Sequence, residues 1–254
     1  VSHISYSELK NWDFCPFYHK LVYIDKHEAF KGNEYTAFGT AVHDVCEKKL
    51  LKEDFNPDET FVEKFKETLK ELHEGAVEFS LDNAMKMVPQ AKAIFPEIEP
   101  AMKAYFGDTY EVYSSEEMLY EPIDDHDLKF KGYVDAVIKI GDKYHIVDWK
   151  TCSWGWNAQR RNDKMTTYQL TLYKHYFCKK HNIDPKNVDT HFALLKRTAK
   201  KDRVEIFRVT SGKKKTENAL KLLYMALYNI TKKRYIKKRT SCTRCVFHKT
   251  ELCP

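Results

Sequence analysis

The stretch GYVDAVIKIGDKYHIVDWKT, residues 132–151, holds two short apolar runs around a Gly-Asp turn. Each run carries an acid where a core strand would ordinarily have none. Asp135 stands three residues after Gly132, and Asp148 follows His145-Ile146-Val147 and precedes Trp149-Lys150. The alternation and the turn predict two paired antiparallel strands over 128–139 and 143–151. In such a pair Asp135 and Asp148 project from adjacent strands toward one point. The period of two sets Lys150 on the face of Asp148 and Trp149 on the other.

Working outward, a third strand is predicted over 110–123, so the three form an antiparallel meander. Helical spacing covers 5–15, 36–51 and 58–79, and continues over 83–107 with proline breaks. Beyond the meander come a helix over 166–181, strands over 188–197 and 203–210, and a long helix over 211–239. No repeat or low-complexity linker interrupts this order. It predicts an α/β fold in one domain over 1–254, with a helical region at 43–109 and a sheet core at 110–210.

Composition narrows the function classes. With 254 residues, 43% hydrophobic and 14% aromatic, the chain can bury a substantial core. A net charge of +6 permits a nucleic-acid partner without requiring one. No apolar run reaches the length of a membrane span, and the opening VSHISYSELKNWDF lacks the pattern of a signal peptide, so a cytoplasmic protein with no membrane partner is expected. Seven cysteines in a chain of this size do not read as a disulfide framework. Cys46, Cys152 and Cys178 fit ordinary buried positions, whereas Cys242, Cys245 and Cys253 crowd into CTRCVFHKTELCP and Cys15 stands in FCPFYHK.

Two carboxylates converging in a dry place repel unless a divalent cation lies between them, and Mg2+ or Mn2+ favours such oxygen ligands. A lysine two residues on can stabilise charge on a phosphate and orient or deprotonate a water, the chemistry of metal-assisted phosphodiester hydrolysis. A bare D-x-K tripeptide reads more simply as a solvated sheet face with an ion pair. The neighbouring residues change the weighing. Gly132-x-x-Asp135 followed by Asp148-x-Lys150 resembles the core of the PD-(D/E)xK nuclease superfamily, in its RecB-like branch. GTAVHDVCE supplies His43 and YQLTLYKHY supplies Gln169 and Tyr173, similar to that branch's first motif and its Q-x-x-x-Y helix.

The resemblance implies a restriction-endonuclease-like core, a mixed sheet flanked by helices with a helical insertion. It implies a cation held by His43, Asp135, Asp148 and the carbonyl of Trp149, with Lys150 assisting the water and Gln169 and Tyr173 lining the cleft. Either Glu117 or Glu121 would add an acid. Cys15 with Cys242, Cys245 and Cys253 is similar to the set holding a 4Fe-4S cluster in AddB-type and CRISPR-associated RecB-like exonucleases, a staple joining 1–20 to 240–254. His248 inside the last spacing leaves structural Zn2+ as the alternative. Trp154 and Trp156, with Arg160 and Arg161, are candidates for contact with nucleic acid, although a tryptophan there can equally wall the core. The basic clusters at 213–215 and 232–239 read evenly as backbone contacts or solvated helix faces.

The resulting expectation is a metal-dependent deoxyribonuclease, an exonuclease on single-stranded ends. No Walker motif supplies a helicase engine. An end-trimming nuclease of the CRISPR-adaptation type and a nonhydrolytic zinc-stabilised DNA-binding or interaction protein are the alternatives. A phage or mobile-element origin would suit so compact an enzyme.

Overall fold

A computed structural model describes residues 3–254. Val1 and Ser2, assigned to the amino-terminal staple, lie outside the described residues. The elements run β1 (His3–Ser5), α1 (Tyr6–Phe14), α2 (Pro16–His19), a π-turn (Lys20–Ile24), α3 (Glu34–Leu50), α4 (Pro57–Glu74), α5 (Leu81–Phe106), β2 (Glu111–Pro122), β3 (Lys129–Ile140) and β4 (Lys143–Cys152). Then follow α6 (Ala158–Arg161), α7 (Lys164–His181), β5 (Val188–Lys196), β6 (Val204–Val209) and α8 (Lys213–Thr231). They gather into two compact units, one of residues 31–118 and 133–211, the other of 1–30, 119–132 and 212–254. Among the described residues no helix is long and apolar enough to cross a membrane.

The larger unit is built on a mixed sheet. β3 and β4 pair antiparallel, β4 and β5 parallel, β5 and β6 antiparallel, while β2 pairs β3. Gly141, at φ +57°, supplies the positive φ that the β3–β4 turn needs. Ala136, Ile138, Val147, Trp149, Ala193 and Leu195 turn one face of the sheet into a core shared with α3, α4 and α5. α7 packs on β4 and β5. This is the α/β, restriction-endonuclease-like arrangement that the sequence predicts.

Three elements differ from expectation. Pro89, Pro96 and Pro100 lie inside the 26-residue α5 and do not break it. All three are exposed on the side away from Met87, Ile94, Phe95, Ile98 and Met102, which are buried. A proline costs about 3 kcal/mol inside a helix, but each buried large apolar side chain returns roughly 1.5–3 kcal/mol, and on the solvent side water serves the carbonyls left free. α8 stops at Thr231 rather than 239: its buried residues end at Leu227, and Lys233 takes a left-handed φ of +54° that ends the helical path. The short β1 has no strand signal of its own and forms by parallel pairing of His3, Ile4 and Ser5 with Lys129, Phe130 and Lys131.

In the smaller unit the chain after α8 is fastened to α1 and α2. Lys238 Nζ donates to the carbonyl of Asp13 at 2.7 Å, Ser241 Oγ to that of Phe14 at 2.5 Å, and Tyr18 packs against Phe247 at 5.6 Å between ring centroids.

The helical layer of the larger unit centres on Phe61, which is fully buried and lies within 5.2 to 5.7 Å of the rings of Phe38, Phe65 and Phe95. Phe61→Ala is expected to lower the unfolding free energy by about 3–5 kcal/mol in a urea titration, and a loss below about 1 kcal/mol would mean that the layer closes over the cavity.

Candidate active site

The β3–β4 ladder runs from Ile140–Lys143 to Ala136–Val147, and one further step sets Asp135 opposite Asp148. At that end the strands part enough for Asp135 Oδ2 to accept the backbone N–H of Trp149 at 2.7 Å. Asp148 is buried, and the Nζ of Lys150 lies 2.6 Å from its Oδ2. That approach is a buried ion pair, in which the ammonium supports the charge of Asp148. Burial, then the neighbouring charge of Asp148, holds the Asp135 carboxyl well above the usual range. Burial would push Lys150 down, but Asp148 and Asp135 outweigh it and its pKa is raised. The lysine therefore keeps its proton.

α3 brings His43 to the same point, its Nδ1 3.8 Å from Asp135 Oδ2. Burial and the Lys150 charge lower this imidazole to about 4 against the pull of Asp148 and the Trp149 backbone, leaving it neutral at pH 7. From α7, Gln169 Nε2 donates to Tyr173 Oη at 3.3 Å. Tyr173 is buried, and burial followed by the charge of Asp148 raises its phenol, so it remains a hydrogen-bond donor. Thus His43, Asp135, Asp148, Lys150, Gln169 and Tyr173, drawn from four elements, surround one locus.

Of the acids considered on β2, Glu117 does not join them. Glu117 is buried and engaged by Ser114, Lys180 and His181, which outweigh its burial and lower its pKa. Glu121 lies in the segment 119–132 of the smaller unit. The acid coupled to the aspartates is Glu116, whose carboxyl is raised by burial and by the charges of Glu47 and Asp148, although the residue itself is exposed. Glu116 adopts φ +46° in mid-strand, an uncommon conformation that changes where successive side chains point. The sequence expectation falls on Glu117 and Glu121 and misses Glu116, because the backbone distortion at Glu116 leaves no mark in the residue pattern.

The residues after β4 divide. Trp154 is 76% exposed, and Arg160 is exposed with its guanidinium 4.8 Å from the Trp156 ring. Trp156 is buried against Phe192 and Phe207. Arg161 is bound to Glu205 and to the Trp156 carbonyl and stacks on Phe207, so its guanidinium is committed within the fold.

In the smaller unit Cys15, Cys242, Cys245 and Cys253 line one pocket with Phe17, Tyr18, Leu21, Phe247 and His248. The backbone N–H of Lys238 donates to Cys15 Sγ at 3.3 Å. Cys46 and Cys178 are buried elsewhere and Cys152 is half-buried.

Among the described residues no three His, Cys, Asp or Glu side chains stand close enough to enclose a metal ion. As they stand, Asp135 is turned to the Trp149 N–H and Asp148 to Lys150. The donor chemistry nonetheless suits a hard divalent cation: a buried carboxylate, a second carboxylate that resists ionising beside the first, and a neutral imidazole. Four thiols in one apolar-walled pocket suit an iron-sulfur cluster or zinc.

No curated protein matches the chain. Among solved structures it is similar to a protein of Eubacterium rectale titled "Putative exonuclease", with a TM-score of 0.57 and 16% identity over 91% of this chain and 79% of that one. It is also similar to SSO0001, with a TM-score of 0.38 and 14% identity over 91% of each. The sequence pattern of the PD-(D/E)XK nuclease superfamily matches residues 3–254. The chain belongs to the PD-(D/E)XK nuclease superfamily.

Proposed function

We propose that the protein is a RecB-like, metal-dependent deoxyribonuclease acting on single-stranded ends, with an iron-sulfur cluster in its smaller unit. The observation that carries the nuclease reading is the pair of aspartates set opposite each other beside a protonated lysine, with Asp148 buried and its Oδ2 2.6 Å from Lys150 Nζ. His43, Asp135, Asp148 and the Trp149 carbonyl would hold Mg2+ or Mn2+. Such a cation polarises a phosphoryl oxygen and lowers the pKa of a bound water. Lys150, its proton held by two carboxylates, stabilises negative charge growing on the phosphate rather than acting as a base. Tyr173, oriented by Gln169, offers a further hydrogen bond to a phosphate oxygen. The description of the Eubacterium rectale protein supports action at strand ends.

The cluster assignment rests on four cysteines lining one apolar-walled pocket. His248 in the same pocket favours the zinc alternative.

Three outcomes follow. Lys150→Ala and Asp148→Ala should each lower cleavage of an end-labelled single strand by roughly a hundredfold to a thousandfold with folding unchanged; a Lys150→Ala protein cutting at the wild-type rate would refute the site. In metal-free protein the His43 pKa lies below its ordinary value. Its contribution to stability is therefore complete above about pH 6.5 and is lost as pH falls toward about 4. His43→Gln should flatten the pH dependence of the urea midpoint across that window, and two parallel curves would show that His43 titrates normally. Finally, protein purified without oxygen should be brown, with about four irons per chain. Cys15→Ala should lose the colour and Cys46→Ala keep it, while colourless protein with one zinc would favour the alternative.

A further inference from the structure

Beyond the carboxylate site, α3 and β4 continue side by side within the larger unit. His43 meets the backbone of Trp149. One helical turn earlier, Gly39 approaches β4 so closely that a Cβ there would lie 3.4 Å from Thr151 Oγ1. Another turn earlier, Tyr35 and Ser153 share a partner, Arg197, whose guanidinium stacks on the Tyr35 ring at 5.1 Å and donates to Ser153 Oγ at 2.8 Å. Four helical residues advance about 6 Å and two strand residues about 6.6 Å, so the two elements stay in step over the interval. They end about 12 Å from His43 in a pocket of about 260 Å³ lined by Tyr35, Phe38, Thr151, Cys152, Ser153 and Arg197.

The charge in this pocket is uncompensated. Arg197 bonds through its side chain to two neutral acceptors, Gln90 Oε1 at 3.0 Å and Ser153 Oγ. Among the described residues no carboxylate pairs with it, whereas Arg161 and Arg203 each have one. A half-buried guanidinium held rigid by neutral groups and an aromatic ring is prepared for an external anion. Tyr35 is 47% exposed, and Trp154, which follows Ser153, is 76% exposed. A cation stacked on a half-exposed tyrosine, with an exposed tryptophan next in sequence to its serine partner, is a combination suited to an unpaired strand, its phosphate on the charge and its bases on the aromatic side chains.

We propose that Arg197, Ser153, Tyr35 and Trp154 form a subsite for the single-stranded substrate a few nucleotides away from the bond that is cut. Arg197 and Ser153 hold one phosphate, and Tyr35 and Trp154 stack unpaired bases beside it. The subsite rests on the nuclease reading of the carboxylate locus, but its test does not. Binding is read in chelator, where no cleavage occurs, so failure of the subsite and failure of the catalytic assignment are separate results.

The experiment is fluorescence anisotropy of a labelled oligothymidylate and of a blunt duplex over a series of salt concentrations, with urea midpoints measured for every variant. Arg197→Gln should weaken oligothymidylate binding about tenfold and lower the slope of log K against log salt by roughly 0.7, one single-strand phosphate contact. Arg197→Lys, which keeps the charge, should retain the slope. Tyr35→Ala and Trp154→Ala should each weaken single-strand binding by roughly tenfold while leaving that slope unchanged. Duplex binding should fall less in each variant. A slope that Arg197→Gln leaves unchanged, or equal losses on single strand and duplex, would overturn the proposal whatever the urea midpoints show.

Discussion

Two negative charges placed face to face in a sheet set the terms for the site. Asp135 and Asp148 are brought opposite each other by the same register that pairs Ala136 with Val147, so the buried hydrophobic ladder that stabilises the unit also forces the repulsion. Sliding the strands by one residue would separate the carboxylates, but it would also turn Val147 and Trp149 out of the core. Lys150 relieves part of the repulsion, while burial first and the Asp148 charge second still hold the Asp135 carboxyl above its usual range. Functional sites commonly retain such tension where packing elsewhere is strong enough to hold it.

The surroundings are arranged to keep that tension useful. His43 is held neutral, Lys150 protonated and Tyr173 protonated, so at neutral pH the locus offers one nitrogen lone pair, one fixed cation and one hydroxyl donor beside its carboxylates. Each state follows from burial acting against or with the two aspartates. The chemistry of the locus is thus set by the sheet register as much as by the side chains themselves.

How much of this is legible in the sequence depends on the range of the interactions involved. The β3–β4 pair, Asp135, Asp148 and Lys150 are local, fixed by a period of two and a glycine turn, and the motif around them could be read directly. Gln169 and Tyr173 share a helix face at i, i+4, but that spacing alone suits a core helix equally well, and only the resemblance to the Q-x-x-x-Y motif singles them out. On β2 the expectation weighs Glu117 and Glu121 and misses Glu116, whose left-handed conformation inside the strand has no sequence signal. Trp156 and Arg161 read as contacts for nucleic acid, yet Glu205 and Phe207, far along the chain, draw them into the fold. Arg197 and Tyr35 carried no signal at all, since their stacking joins residues that have no sequence pattern in common.

The interleaving of the two units bears on how the chain is made. Residues 31–118 and 133–211 emerge from the ribosome before 212–254, whereas 1–30 emerge first and must await the segment that carries Lys238 and Ser241. At synthesis rates of 5–20 residues per second, roughly 180 intervening residues impose a delay of about 10 to 40 s. During that interval Cys15 and the apolar side of α1 lack the partners they will bury against. The order of synthesis means that the cysteine pocket is completed only after the chain of the carboxylate-bearing unit has been made.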